Sequence, residues 1–212
     1  MTSLSLEHLY EQGDPAKPVL LLLHGTGGSP SDLIGLGAEL SPGSAILAPA
    51  GQVRENGMPR WFRRLSEGVF DHEDVVFRAN ELADFIVQAV KHYGLADRRL
   101  VGVGFSNGAN IGVATVLLRP DVLTEMAAFA AMSPVPSPPA LDLSGTRVFL
   151  SNGTRDPMAP LPSNEELVAR LRERSADVTV HRHQGGHQIT LEAVEKARRW
   201  LSTGGSGYPP PA

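Results

Sequence analysis

A hydroxyl becomes a useful nucleophile near neutral pH when a histidine takes its proton and a carboxylate holds that histidine in the right tautomer. One serine in this chain stands in a setting suited to that chemistry. Gly104-Phe105-Ser106-Asn107-Gly108 has the G-x-S-x-G spacing, at the end of the apolar run from 100 to 105 and just before a helical pattern. Glycine on both sides is what a sharp strand-to-helix turn needs, because neighbouring backbone comes too close there for side chains. The helix that follows sets its positive end beside the serine oxygen. A plain glycine-rich turn with a helix-capping serine is the competing reading, and the partner residues decide between the two.

The expected chain order is serine, carboxylate, histidine. Asp156 follows the predicted strand from 147 to 151, in Asn152-Gly153-Thr154-Arg155-Asp156-Pro157, where a loop leaves a carboxyl end. Asp121, Asp142 and Asp177 fit less well, because each precedes a predicted strand. His187 lies in Gly185-Gly186-His187-Gln188 after the predicted strand from 178 to 183, with paired glycines that free the backbone to swing the ring over the sheet. Its rivals, His181 and His183, read as surface residues of that strand. A metal bound by His181, His183 and His187 lacks both H-E-x-x-H and an acidic cluster, so neither metal nor cofactor is expected. The run His24-Gly25-Thr26-Gly27-Gly28, after the apolar run from 19 to 23, resembles the histidine-glycine loop that gives a backbone N–H to an oxyanion site. The donors would be the amides of Thr26 and Asn107. A nucleotide loop is excluded by Pro30, which takes the last place of G-x-G-x-x-G, and by the lack of G-K-[ST].

Positioning these groups requires strands whose carboxyl ends share one edge. Runs at 19–23, 45–47, 100–105, 126–132, 147–151 and 178–183 read as strands. Helical spacing from Asp71 to Tyr93, with Asp71 suited to cap the start and Gly94 the end, predicts the longest helix. Shorter helices are expected at 110–118, 164–174 and 190–201. Alternation of this kind implies an α/β domain with a mostly parallel sheet covered on both faces, and ligands bind such sheets outside the strands' carboxyl ends.

Taken together, these elements resemble the α/β-hydrolase fold, and within it the bacterial carboxylesterase/phospholipase family related to acyl-protein thioesterases. The segments from Asn56 to Arg64 and from Glu67 to Asp71 are similar to the branch of hydrolases induced by methylhydroquinone stress. The resemblance, which spans about Val19 to Leu201, implies a central sheet of about seven strands without a large cap, a Ser106–Asp156–His187 triad, no cofactor, and hydrolysis of small to medium carboxylic esters. Asn107 departs from the glutamine typical of acyl-protein thioesterases after the nucleophile. The same triad serves thioesters, lysophospholipids and C–C bonds of ring-cleavage products, and a binding protein that keeps only the fold is a further alternative. Met58, Arg60, Trp61 and Met158 are the expected substrate-binding residues, and Phe70 is expected in the core.

Composition narrows the remaining classes. The chain has 212 residues and no cysteine, which fits one domain over 1–201 and excludes a disulfide framework, a thiolate metal site and a cysteine nucleophile. With 19 Lys+Arg against 23 Asp+Glu, a net charge of −4 and no run of like charge, nothing favours nucleic acid or an anionic membrane as partner. No secretory or membrane segment is legible, so a cytoplasmic monomer or homodimer acting on a small-molecule ester is expected. The Gly/Pro-rich stretch 202–212 reads as a flexible tail.

Overall fold

The computed structural model describes residues 4–66 and 68–204. In chain order the elements are β1 (His8–Glu11), β2 (Val19–Leu23), α1 (Ile34–Leu40), β3 (Ala45–Pro49), β4 (Val53–Glu55), β5 (Met58–Arg60), β6 (Arg64–Ser66), β7 (Val69–Phe70), α2 (His72–His92), β8 (Leu100–Phe105), α3 (Asn107–Leu118), β9 (Glu125–Phe129), β10 (Arg147–Gly153), α4 (Leu161–Glu173), β11 (Asp177–His183) and α5 (Leu191–Ser202). Seven strands form one sheet in the order β1-β3-β2-β8-β9-β10-β11. Only β1 runs antiparallel, against β3.

Sequence pattern explains this layering. All five residues of β2 are buried, with Val19, Leu21 and Leu23 packed on one face and Leu20 and Leu22 on the other. A strand covered on both faces reads as a continuous apolar run, and each buried leucine contributes about 1.5–3 kcal/mol relative to exposure. The first face meets α2, α3 and α4 through Leu82, Phe85, Ile111 and Leu167. The second meets α1 and α5 through Leu40, Ala193, Ala197 and Trp200. Helix α3 is buried all round, as expected of a helix between α2 and the sheet.

Helix ends follow their side chains. Asp71 caps α2 by accepting the Asp74 N–H at 3.2 Å, and Gly94 takes φ +66° just past its end. Thr190 caps α5 by accepting the Ala193 N–H at 3.1 Å. At the edge of the sheet away from the loops of interest, Arg99 grips the buried Glu125 with contacts of 2.6 and 2.7 Å, and Arg147 adds one of 2.9 Å. The same two arginines donate to the last carbonyls of α5, Leu201 O at 2.9 Å and Trp200 O at 3.2 Å, locking that helix under the strands.

Several boundaries differ from the sequence expectation. The expected strand over 126–132 ends at Phe129, because Ala130 adopts φ +55° and turns the chain out of the sheet. Helix α3 starts at Asn107 rather than Asn110, directly after the elbow, and α4 starts at Leu161, with Pro162 in its first turn where no N–H is needed. Of the expected tail, Ser202 belongs to α5 and residues 205–212 lie outside those described. His181 and His183 are not surface residues. Both are buried, since their face of β11 lies under α5, whose Lys196 Nζ reaches His181 Nδ1 at 3.2 Å.

Candidate active site

The sheet order places the candidate residues at one edge. Ser106 follows β8, the central strand, while the histidine-glycine loop follows its neighbour β2, and Asp156 and His187 follow β10 and β11 on the other side. Ser106 has φ +53° and ψ −116°, a conformation that side chains rarely adopt and that costs of order 1–3 kcal/mol. Surrounding backbone enforces it. The Ser106 N–H donates to Phe129 O at 2.9 Å. A Cβ on Gly108 would lie 1.9 Å from Leu23 O, and one on Gly104 would lie 2.7 Å from the Gly108 carbonyl. The glycines of the motif therefore exist so that β8, α3 and the end of β2 can pass in contact at the elbow.

His187 Nε2 lies 2.8 Å from Ser106 Oγ, and its Nδ1 lies 2.7 Å from Asp156 Oδ2. A carboxylate only accepts, so Nδ1 carries the proton and Nε2 presents a lone pair to the serine hydroxyl. The Asp156 side chain is fully buried, and its other oxygen accepts the backbone N–H groups of Met158 at 2.8 Å and Ala159 at 3.0 Å. Those bonds fix the carboxylate and offset part of its burial cost. This arrangement can withdraw a proton from Ser106 and return it to a leaving group. His187 is committed here while His181 faces α5, so the three histidines do not converge. Among the described residues no group of three His, Cys, Asp or Glu side chains could hold a metal ion.

Thr26 and Asn107 line the same cavity as Ser106 and His187. The Thr26 amide makes no hydrogen bond among the described residues, and that of Asn107, the first residue of α3, has no partner within the helix. His24 is a latch rather than a ligand: its Nε2 accepts the Gly51 N–H at 3.0 Å and its Nδ1–H donates to Gly25 O at 2.7 Å. Burial pushes its pKa below the ordinary imidazole value, outweighing the hydrogen bond to Gly25.

A cavity of about 610 Å³ opens at Ser106, lined by the apolar side chains of Met58, Phe70, Met132, Pro157 and Met158 and by the polar ones of Arg60, Arg64 and Asn110. A second groove of about 370 Å³ runs from Ser106 and His187 past Gly25–Gly28 to Leu33. Of the expected substrate-binding residues, Met58, Arg60 and Met158 line this cavity, and Phe70 joins the lining while also packing edge-to-face on Phe62 at 5.0 Å. Trp61 does not reach the cavity. It is buried, its indole N–H donates to His24 O at 2.9 Å, and its backbone N–H donates to Asn107 Oδ1 at 2.7 Å. An apolar ring with one polar handle was satisfied by the loop behind the cavity rather than by the cavity.

The wall is carried by two short hairpins that no apolar run announces. Asn56 and Gly57, at φ +50° and +81°, form the turn of the β4–β5 hairpin, and Asn-Gly is a strong signal for such a turn. Arg60 Nη1 donates to Thr26 Oγ1 at 3.1 Å and lies 3.2 Å from Glu55 Oε2, while Arg64 Nε donates to Glu55 Oε1 at 2.9 Å. Burial, and then the neighbouring Arg64 charge, push the Arg60 guanidinium below its ordinary value. The Arg64 hydrogen bond chiefly lowers the Glu55 pKa.

A mostly parallel seven-stranded sheet, with a serine on a strained elbow after its central strand and an acid and histidine on the loops of later strands, defines an α/β-hydrolase. The phospholipase/carboxylesterase family matches residues 5–204, and the chain belongs to that family, as a carboxylic ester hydrolase. It is 43% identical to the protein MhqD of Bacillus subtilis over 195 residues, which cover 92% of this chain and 97% of MhqD. The crystal structure of the Bacillus cereus carboxylesterase superposes with a TM-score of 0.89 at 41% identity, covering 94% of each chain. A carboxylesterase from Mesorhizobium loti superposes with a TM-score of 0.88 at 27% identity, covering 95% of this chain and 97% of that one.

Proposed function

We propose that the chain hydrolyses small to medium carboxylic esters through an acyl-enzyme on Ser106. The observation that carries this reading is the unbroken relay from Asp156 Oδ2 through His187 to Ser106 Oγ, with contacts of 2.7 and 2.8 Å. Ser106 Oγ attacks the ester carbonyl as His187 Nε2 takes its proton. The Thr26 and Asn107 amides receive the negative oxygen, and Asp156 stabilises the imidazolium without taking the proton. His187 then protonates the departing alcohol, and a water deprotonated by the same nitrogen releases the acid. Two clefts meeting at Ser106 suit a substrate with two arms, one acyl and one alcohol, and their volumes fit compounds of modest size.

A fluorophosphonate probe is expected to label Ser106 in the folded protein, and Ser106→Ala to abolish both labelling and hydrolysis of 4-nitrophenyl butyrate while the fold is kept. Turnover by Ser106→Ala within tenfold of the parent would remove the assignment.

A further inference from the structure

We infer that the ester carries a carboxylate, seated on the Arg60–Arg64 side of the larger cleft; this rests on the proposed esterase reading and adds the substrate's charge to it. Arg60 is 4% exposed, yet it lines the cavity that Ser106 opens into. A buried guanidinium needs a full complement of acceptors, and Arg60 does not have one. Its Nε donates to Phe62 O at 3.3 Å and its Nη1 to Thr26 Oγ1 at 3.1 Å. Glu55 Oε2 lies 3.2 Å from Nη1 but is a buried oxygen without a hydrogen-bond partner among the described residues, and the hydrogen bonds Arg60 makes among them come from Nε and Nη1, leaving Nη2 free to donate to a ligand.

Charge makes the same case. Glu55 is shared by two arginines, since its Oε1 is held by Arg64 at 2.9 Å. Among the described residues the two arginines thus share one carboxylate and no acidic side chain lines this cavity, Asp156 being committed to His187. A packing role alone would be met by one arginine per carboxylate, turned away from the opening. Two arginines around one glutamate, lining a cleft together with apolar side chains, form a site that a carboxylate would complete: Arg60 and Arg64 take its oxygens while Met58, Phe70 and Met132 cover the connecting methylenes. Because Arg60 also holds Thr26, whose amide is assigned to the oxyanion, the anion would be gripped beside the reacting carbonyl.

The test compares kcat/KM for esters matched in length and differing only in charge. One arm uses 4-nitrophenyl half-esters of succinate, glutarate and adipate against neutral nitrophenyl esters of equal chain length. A second arm uses acetate esters of carboxyphenols against those of the corresponding methyl carboxyphenols. A preference for the anion of roughly tenfold or more in either arm is expected, and the arm in which it appears says which half of the ester occupies the larger cleft. Arg64→Met should bring that ratio toward one, mostly through KM. Glu55→Gln should raise it, because an internal competitor for the arginines is removed. A purely structural cluster would instead lower both rates together in both variants. Turnover of the neutral esters with no anion preference in either arm overturns this inference and leaves the esterase reading standing. A preference that survives Arg64→Met and does not grow in Glu55→Gln overturns it as well. Absence of turnover together with absence of Ser106 labelling overturns both.

Discussion

Replacing Asp156 with asparagine changes one atom, and the structure dictates where that atom goes. One oxygen of Asp156 accepts two backbone N–H groups, Met158 at 2.8 Å and Ala159 at 3.0 Å, and the other faces His187 Nδ1 at 2.7 Å. In Asp156→Asn the two amides still require an acceptor, so the side-chain oxygen stays with them and the NH2 group turns to His187. An NH2 donor there demands a lone pair on Nδ1, which moves the imidazole proton to Nε2 and aims it at Ser106 Oγ. The general base then has no lone pair for the serine. A loss in kcat of about 10⁴ is expected, close to 5.4 kcal/mol of transition-state stabilisation, with KM little changed. Asp156→Ala should be equally inactive, but it also takes the acceptor from the N–H groups of Met158 and of the buried Ala159, an expected loss of roughly 1–3 kcal/mol in stability. Steady-state kinetics on 4-nitrophenyl butyrate and urea unfolding of the two variants give both quantities. The reasoning fails if Asp156→Asn retains kcat within tenfold of the parent, or if Asp156→Ala is as stable as Asp156→Asn.

Two further predictions concern stability. Glycine takes the φ +53° of Ser106 without strain, so Ser106→Gly should be more stable than Ser106→Ala by about 0.5–2 kcal/mol, the strain relieved less the chain entropy of glycine; equal urea midpoints would refute this. Burial holds His24 below its ordinary pKa of 6.5, so in the window between that value and its lower folded one the unfolded chain binds a proton that the folded chain does not. Stability from His24 is then complete above about pH 6.5 and is lost as pH falls toward the folded pKa, with a slope of at most about 1.4 kcal/mol per pH unit. His181, also lowered chiefly by burial, contributes with the same sign. Thermal unfolding from pH 7.5 to 5.5 should show the decline, and His24→Gln should flatten it; an unchanged slope would rule out His24 as a source.

The order of strands and helices was legible because each buried strand is a short apolar run and each helix carries its own stop signals, as with Asp71 and Gly94 around α2. The candidate site was legible because its loops leave the carboxyl ends of β8, β10 and β11 and carry a serine, an acid and a histidine in the expected chain order. What escaped was governed by tertiary contact. β1 pairs antiparallel at an edge with a half-exposed alternation too short to stand out, and α1 carries two glycines in seven residues. The hairpin strands have only two or three residues each, so Asn56-Gly57 was the one available signal. Trp61 had the composition of a pocket wall, but only the position of the His24 carbonyl decided that its indole would turn inward. Likewise, nothing local to Val178–His183 announces that α5 lies over His181 and His183.

The wall of the larger cleft has an architecture with consequences for how the enzyme can change. Hairpins β4–β5 and β6–β7 pair within themselves and not with the central sheet, and their stretch of chain is anchored by Trp61, Phe62 and Phe70 in the core and by hydrogen bonds of Trp61 to His24 O and Asn107 Oδ1 and of the Gly27 N–H to Pro59 O at 2.9 Å. The serine, acid and histidine take their geometry from β8, β10 and β11 instead. The hairpin part of the cleft and the strands that carry Ser106, Asp156 and His187 are thus separate stretches of chain, while Met132, Pro157 and Met158 complete the lining from loops of the sheet. Transplanting residues 53–70 from a related esterase, with Arg60, Trp61, Phe62 and Phe70 retained, would recast that part of the cleft while the strands that carry Ser106, Asp156 and His187 stay as they are.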